Sequence, residues 1–352
     1  MKVAYLFPEE LPMRQARGVQ TVRTVWALAE ELEVIFLPAA LGEEAFSFYG
    51  LPDKGPYVRV ASRRWGPWKG QIFYLCRILP FLRRVDVLYT RHLKTALWLL
   101  RFRALHQRPV VYEVHEIFSE KTPKWQDKED WVLKEAHGLV CVSQGLKKAI
   151  ARRVSREACV IPNGALWRPV DLKEKFARST NEFYYIGSLR YPWKGASCLL
   201  EALAFIPPTL RLVVIGEKKG DHPQVLWKGF CPPAHTASVL QKVQIAVLPN
   251  SAFNHQSREY TCPLKLLDYM AAGCAVVASD LPSVREIVSA KEVLFVPPDD
   301  PEALAQGVKA LWQDRHRRYL LGRAAHLKAK DYTWAKRARR LRRFLASLKE
   351  GL

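Results

Sequence analysis

Two short stretches combine positive charge with a backbone that can approach a ligand. In the first, Tyr185-Ile186-Gly187-Ser188-Leu189-Arg190-Tyr191-Pro192-Trp193-Lys194-Gly195, an apolar run ends in glycine, and an arginine and a lysine follow four residues apart. Glycine lets the backbone come close to a bound group. Arginine forks onto phosphate oxygens, and lysine adds a point charge. A pyrophosphate calls for that combination. Taken alone, however, the composition fits a solvated turn with incidental charge better.

The second stretch is Tyr260-Thr261-Cys262-Pro263-Leu264-Lys265-Leu266-Leu267-Asp268-Tyr269-Met270-Ala271-Ala272-Gly273. Pro263 suits the first turn of a helix and Gly273 its end. Lys265 and Asp268 then fall one turn apart on the same face. A carboxylate there can accept both hydroxyls of a ribose, with the lysine facing phosphate or base. The alternative is an ion pair on a surface helix, worth well under about 1 kcal/mol. Small Ala271, Ala272 and Gly273, followed by apolar Ala275-Val276-Val277, suggest a buried helix and weaken that alternative.

Elements able to position these residues recur along the whole chain. Apolar runs at 3–7, 34–37, 85–90, 110–114, 139–143 and 159–161 alternate with amphipathic segments such as 22–32 and 131–136. The pattern restarts with runs at 183–186, 210–215, 245–248, 275–278 and 294–296. Strands alternating with helices imply parallel α/β sheets, so the expectation is two similar α/β lobes. Between them, Pro162-Asn163-Gly164 leads into a charged stretch, the best linker candidate. Polar and glycine residues cluster where the strands should end: Thr90-Arg91-His92 and Glu113 to Glu116 in the first half. Gly187-Ser188, Gly216-Glu217, Asn250-Ser251 and Ser279-Asp280 do so in the second. Ligands of open α/β sheets collect beyond the carboxyl ends of strands.

The chain has 352 residues, enough for two domains. Its seven cysteines show no paired metal spacing and read as reduced thiols, which suits a cytosolic protein. No run approaches the roughly 18 apolar residues of a membrane span, and the opening Met1-Lys2-Val3-Ala4-Tyr5-Leu6-Phe7 reads as a strand, not as a signal peptide. The net charge is +21, with 55 Lys and Arg against 34 Asp and Glu. Such a surplus favours an anionic partner: nucleic acid, an acidic membrane leaflet or phosphorylated ligands. No nucleic-acid module is recognisable, which ranks that partner low.

Together these stretches resemble the retaining glycosyltransferases of family 4 (glycosyl transferases group 1). Residues 187–195 are similar to that family's donor-phosphate loop, and 263–277 to its donor-binding helix block. Glu113-Val114-His115, Val160-Ile161-Pro162-Asn163-Gly164 and Ser279-Asp280-Leu281-Pro282 match further. The resemblance implies an α/β architecture of the GT-B class, two Rossmann-like lobes with parallel sheets facing an inter-domain cleft. It divides the chain into an acceptor-side lobe at 1–168, a nucleotide-sugar-binding lobe at 169–330 and a basic helix at 331–352 crossing back to the first lobe.

Carried over residue by residue, the resemblance makes Arg190 and Lys194 ligands of the donor diphosphate and Asp268 the ribose contact. His115 matches a histidine near the transferred sugar, and with Arg190 and Lys194 it forms the catalytic set. Gly18, ahead of a helix expected from near Val19, falls where donor phosphate meets a helix N-terminus. Gly187, Glu259, Tyr260, Leu264 and Lys265 complete the donor-binding set. The sequence departs from the family in four places. Tyr260 stands where the family has a glutamate, with Glu259 one place before it. Asp268 replaces a second glutamate, Gly18 stands alone where a glycine pair is usual, and Ala275 replaces a proline. The activity implied is metal-independent, cofactor-free transfer from a nucleotide sugar to a glycan or lipid-linked acceptor, in polysaccharide or envelope synthesis. Other GT-B enzymes, such as a sugar-nucleotide epimerase, and a non-catalytic sugar-nucleotide binder are the rivals.

Two basic segments remain. Between 328 and 343, eight Lys or Arg face only Asp331, and Trp334, Leu341, Phe344, Leu345 and Leu348 recur at helical spacing. That predicts a packed helix with a solvated basic face. In the first half, Arg63-Arg64-Trp65-Gly66-Pro67-Trp68-Lys69-Gly70 precedes an apolar stretch ending in Arg83-Arg84. Aromatics between cations suit either an anionic lipid interface at the inner face of the membrane or a basic loop before a core helix.

Overall fold

Valine, isoleucine, leucine and aromatic side chains fill the short runs, and such residues pack well on a pleated surface buried from both sides. In the computed structural model, which describes residues 1–52, 58–60 and 71–350, these runs become the strands of two wholly parallel sheets. The chain divides into two compact units, Met1–Pro162 with Trp334–Leu352, and Asn163–Thr333.

In the first unit the described strands are β1 (Lys2–Leu11), β2 (Glu33–Leu41), β3 (Val58–Val60), β4 (Val87–Thr90), β5 (Val110–Val114), β6 (Gly138–Cys141) and β7 (Cys159–Val160). Their order is β3-β2-β1-β4-β5-β6-β7. The core beneath them includes Val3, Tyr5, Phe7, Val25, Leu28, Phe36, Tyr89 and Val111, all buried. The second unit has β8 (Glu182–Ile186), β9 (Arg211–Ile215), β10 (Val225–Trp227), β11 (Ile245–Leu248), β12 (Ala275–Ser279) and β13 (Val293–Val296), ordered β10-β9-β8-β11-β12-β13. Both sheets start at an inner strand, run outward to one edge and then return to the other side. The order therefore reverses between β1 and β4 and between β8 and β11, and a doubly wound sheet opens a crevice at the carboxyl ends of such strand pairs.

The alternation of apolar runs located eleven of these strands. It missed β3 and β10, three residues each, because so short a run carries no periodicity. The helix expected from near Val19 begins earlier and spans Ala16–Ala29, so Gly18 lies in its first turn. The divisions between units fall at Pro162/Asn163 and Thr333/Trp334, where the sequence suggested 168/169 and 330/331. Hydrogen bonds account for the difference. Asn163 Nδ2 donates to Cys262 O at 2.9 Å, and Ala165 N donates to Tyr332 O at 2.7 Å, which ties both crossings into the second unit.

The terminal helix Trp334–Glu350 belongs to the first unit. Trp334, Leu341 and Leu345 are buried, and Phe344 and Leu348 pack against the same core. Its basic face is not wholly solvated, because Arg337 is only 2% exposed. The segment 63–70 lies outside the described residues. No helix among the described residues is long and apolar enough to cross a membrane, and none of the seven cysteines forms a disulfide.

Candidate functional site

The carboxyl ends of β8 and β11 gather the second unit's candidates. After β8 the chain reaches Gly187 at φ +127° and turns through Ser188, whose Oγ accepts from Arg190 N at 3.2 Å. A short turn, Pro192–Lys194, then ends at Gly195 with φ +71°. A Cβ at Gly195 would lie 1.6 Å from Pro249 O, so only glycine lets this loop cross the end of β11. Trp193 O accepts from Ser251 N at 3.0 Å, which fastens the loop to the residues following β11. The strand reversal thus carries one continuous loop surface holding Arg190 and Lys194. Arg190 is exposed and Lys194 half-buried, with the Lys194 ammonium 4.9 Å from the ring centre of Tyr191 and 5.3 Å from that of Trp193.

The helix Leu264–Ala271 begins after Pro263 and ends with Gly273 at φ +68°, the start and stop expected from the sequence. It presents Lys265 to the loop. The Lys265 Nζ donates to Tyr185 OH at 2.8 Å and sits 4.0 Å from the centre of that ring. Burial pushes Lys265 well below the usual lysine range, and the charge of Lys194 pushes it further. Burial also lowers Lys194, with Glu217 acting in the opposite sense. Two partly desolvated ammonium groups that repel each other are stabilised by an anion placed between them. Leu264 and Asp268 lie on the same helix as Lys265, all three half-buried. Tyr269, from this helix, accepts from Ile186 N at 2.8 Å and so holds the end of β8.

Glu259 and Tyr260 lie in a π-helical turn, Gln256–Tyr260. Glu259 accepts from Arg258 Nε at 3.0 Å. Tyr260 is buried and packs edge-on against His255, with ring centres 4.7 Å apart. Sequence reasoning missed the residues that brace this turn. Ser257 Oγ donates to Trp193 O at 3.4 Å, Ser283 Oγ to Ser257 O at 2.7 Å, and Ala252 N to Asp299 Oδ2 at 2.8 Å. Lone serines and aspartates carry no pattern that could have marked them.

In the first unit, the ends of β1, β4 and β5 bring together a second cluster. Arg17 Nε donates to both oxygens of Glu9, at 2.9 and 2.8 Å, and Glu9 also lies 3.3 Å from His92 Nε2. Gly18 is buried, and a Cβ there would lie 2.4 Å from Tyr49 OH and 2.5 Å from Met13 Cγ. Any larger residue here would have to displace the Tyr49 and Met13 side chains, so packing inside the unit favours this glycine.

His115, just past β5, lies 2.9 Å from Glu113 Oε1 through its Nε2. Glu113 is fully buried. It also accepts from Gln20 Nε2 at 2.9 Å and Tyr89 OH at 2.7 Å, and pairs with Arg337. Burial opposes its ionisation, but the charge of Arg337 and the interaction with His115, a hydrogen bond included, outweigh that and hold the carboxyl below the usual range. Burial and the nearby Arg91 push His115 down to about 4, so the ring is neutral at pH 7. His92 is lowered to about 3, by burial first and then by Arg91. Tyr89, Gln20 and Arg337 escaped the sequence reading, since strand, helix and tail meet here only through folding.

Comparison with known proteins places this geometry. Residues 18–165 match the model of Glycosyltransferase Family 4, and residues 180–314 that of Glycosyl transferases group 1. A phosphatidyl-myo-inositol mannosyltransferase of Mycobacterium tuberculosis is 26% identical over 221 residues, 56% of either chain. Its counterpart in Mycolicibacterium smegmatis is 26% identical over 216 residues, covering 56% of this chain and 54% of that protein. The chain thus spans about half the length of the curated relatives it matches. Among solved structures, Anabaena HepE in complex with UDP and glucose superposes with a TM-score of 0.76 at 17% identity, over 99% of this chain and all of that one. Sucrose-phosphate synthase from Thermosynechococcus elongatus gives 0.75 at 16% identity, with complete coverage of both. At those identities the likeness establishes the fold, two Rossmann-like lobes of the GT-B class.

Proposed function

This chain belongs to glycosyltransferase family 4 (glycosyl transferases group 1), and on that footing we propose that it moves a sugar from a nucleotide-diphosphate sugar to an acceptor hydroxyl with retention of configuration. The carrying observation is the Lys194–Lys265 pair. Each is lowered by burial, Lys265 also by its neighbour, beside the loop that carries Arg190. Such a site favours a dense anion, and a diphosphate is the anion that this family's donors supply. Relatives support the class: two are mannosyltransferases, and one solved neighbour holds UDP and glucose.

In this mechanism, Arg190 and Lys194 bind the diphosphate and stabilise the charge that develops on it as the glycosidic bond breaks. Fixed cations fill the part that a metal plays elsewhere, so turnover requires no divalent ion. Asp268 accepts the ribose hydroxyls, and neutral His115 addresses the transferred sugar. The acceptor hydroxyl attacks from the face that the diphosphate leaves. The acceptor is a glycan or lipid-linked glycan of envelope or exopolysaccharide synthesis, and the enzyme works in the cytoplasm at the inner face of the membrane. That last assignment rests on the charge of +21 and on the lipid in the relatives' name.

A second reading is favoured by Tyr260. Its burial against His255 leaves a packed phenol where the family has a carboxylate, which would suit a sugar-nucleotide binder without turnover. The two readings separate on product. Incubation with GDP-mannose, UDP-glucose and ADP-glucose, with and without EDTA, should release nucleoside diphosphate at a rate that EDTA leaves unchanged and that falls at least tenfold in Lys194→Ala. Tight binding with no release from any donor and any tested polyprenyl or inositol-lipid acceptor would establish the second reading.

A further inference from the structure

We propose that Glu113, paired with Arg337 of the terminal helix, is a positioning residue that fixes the tautomer and ring orientation of His115. The proposal rests on the reading above in which His115 addresses the transferred sugar. Glu113 has no exposed surface, and its two oxygens accept from Gln20, Tyr89, His115 and Arg337. Arg337 is itself anchored. Its Nη1 donates to Ile161 O at 2.6 Å and Pro162 O at 2.9 Å, and its Nε to Thr24 Oγ1 at 3.1 Å. Gln20 is fixed from its other end, where its Oε1 accepts from Arg91 at 2.6 Å.

An ionised carboxylate only accepts hydrogen bonds. Its contact with His115 Nε2 therefore places the ring proton on Nε2 and makes Nδ1 the acceptor nitrogen. A histidine that must accept a hydroxyl proton or hydrogen bond through one given nitrogen needs such a partner on the other, as metal-binding and catalytic histidines do. A buried ion pair adds little net stability compared with apolar packing. Its placement directly behind His115 gives this one a use that stability alone would not. The terminal helix thereby reaches the site through a single guanidinium, 224 residues along the chain from the carboxylate it holds.

The test begins on the unmodified chain. Histidine 15N shifts, assigned with His115→Asn, should show His115 protonated at Nε2 throughout pH 6–8. Protonation at Nδ1 in that range overturns the proposal without any variant. Glu113→Gln should shift the population toward Nδ1–H or a mixture, and Arg337→Met should do the same, while Arg337→Lys restores the Nε2–H form in large part. With GDP-mannose and UDP-glucose supplied, kcat in Glu113→Gln should fall about 10- to 100-fold, the range for partners behind a functional histidine, with donor KM changed less than about twofold. An unchanged tautomer in both Glu113→Gln and Arg337→Met overturns the positioning role. Full turnover in His115→Asn would instead remove the role of His115 while leaving the tautomer result standing, so the two failures are distinguishable. If Glu113→Gln does not fold, the Arg337→Lys and Arg337→Met pair decides the matter.

Discussion

The ammonium of Lys265 lies 2.8 Å from the phenol oxygen of Tyr185 and 4.0 Å from the centre of its ring. Burial raises Tyr185, so the phenol is neutral and offers Lys265 a hydrogen bond and a π face but no charge. A cation held this way keeps most of its electrostatic demand for a ligand. Diphosphate affinity should therefore fall as pH rises through the lowered value of Lys265, well before the ordinary lysine value of 10.5. Calorimetry with UDP and GDP between pH 7 and 9.5 in buffers of different ionisation enthalpy should show net proton uptake on binding at the upper end. Lys265→Met should reduce the uptake to the share of Lys194, which burial also lowers. Binding without proton uptake across that range would remove Lys265 from the site.

Arg190→Ala and Lys194→Ala should each weaken nucleoside-diphosphate binding by roughly 1.5–3 kcal/mol, the range for hydrogen bonds to charged groups. The two sit on one loop and share a ligand, so the double variant should lose less than the sum. Unchanged affinity in both folded single variants would move the anion site elsewhere.

Stability should decline on mild acidification. His92 and His115 are lowered to about 3 and about 4, and His106, His137 and His326 are lowered as well, with burial the first cause in every case. Below the unfolded-state value of 6.5 the unfolded chain binds protons that the folded chain refuses, so unfolding becomes easier as pH falls. Scanning calorimetry should show Tm dropping between pH 7 and pH 5, before Glu113 titrates. His115→Asn should flatten part of that slope. A Tm constant over this interval would contradict the lowered histidines.

Vesicles containing acidic lipid should bind the protein and neutral vesicles should not, with binding lost as salt rises. Each basic residue near such a surface contributes about 1 kcal/mol, so a few suffice for reversible attachment. The triple variant Arg63→Ser, Arg64→Ser, Lys69→Ser locates the contact. Retained binding in that variant points to the basic tail, and no preference for acidic lipid in low salt removes the membrane from the assignment.

The second unit's candidate residues were legible as a cluster because their spacing is local. A strand, a glycine turn and cations four residues apart sit within 185–195, and proline, lysine, aspartate and glycine mark one helix within 263–273. Short-range geometry follows from such patterns, since strand and helix periods place side chains without reference to the rest of the chain. The same holds for the sheets, whose apolar runs are long enough to show except at β3 and β10.

The fate of individual charges was another matter. Arg337 is one of eight cations in a basic tail, and nothing in its neighbours distinguishes it from Arg339 or Arg340. Yet Arg337 is buried against Glu113, while those two are exposed. Gly18 resembles a phosphate-loop glycine by position, but its lack of a side chain answers to Tyr49 and Met13 of its own unit. By itself the sequence determined the family, the two α/β repeats and the cations of the loop that follows β8. Only the tertiary structure decided which of those charges would be desolvated and by what neighbours, because burial and pKa depend on contacts between segments that lie up to hundreds of residues apart along the chain.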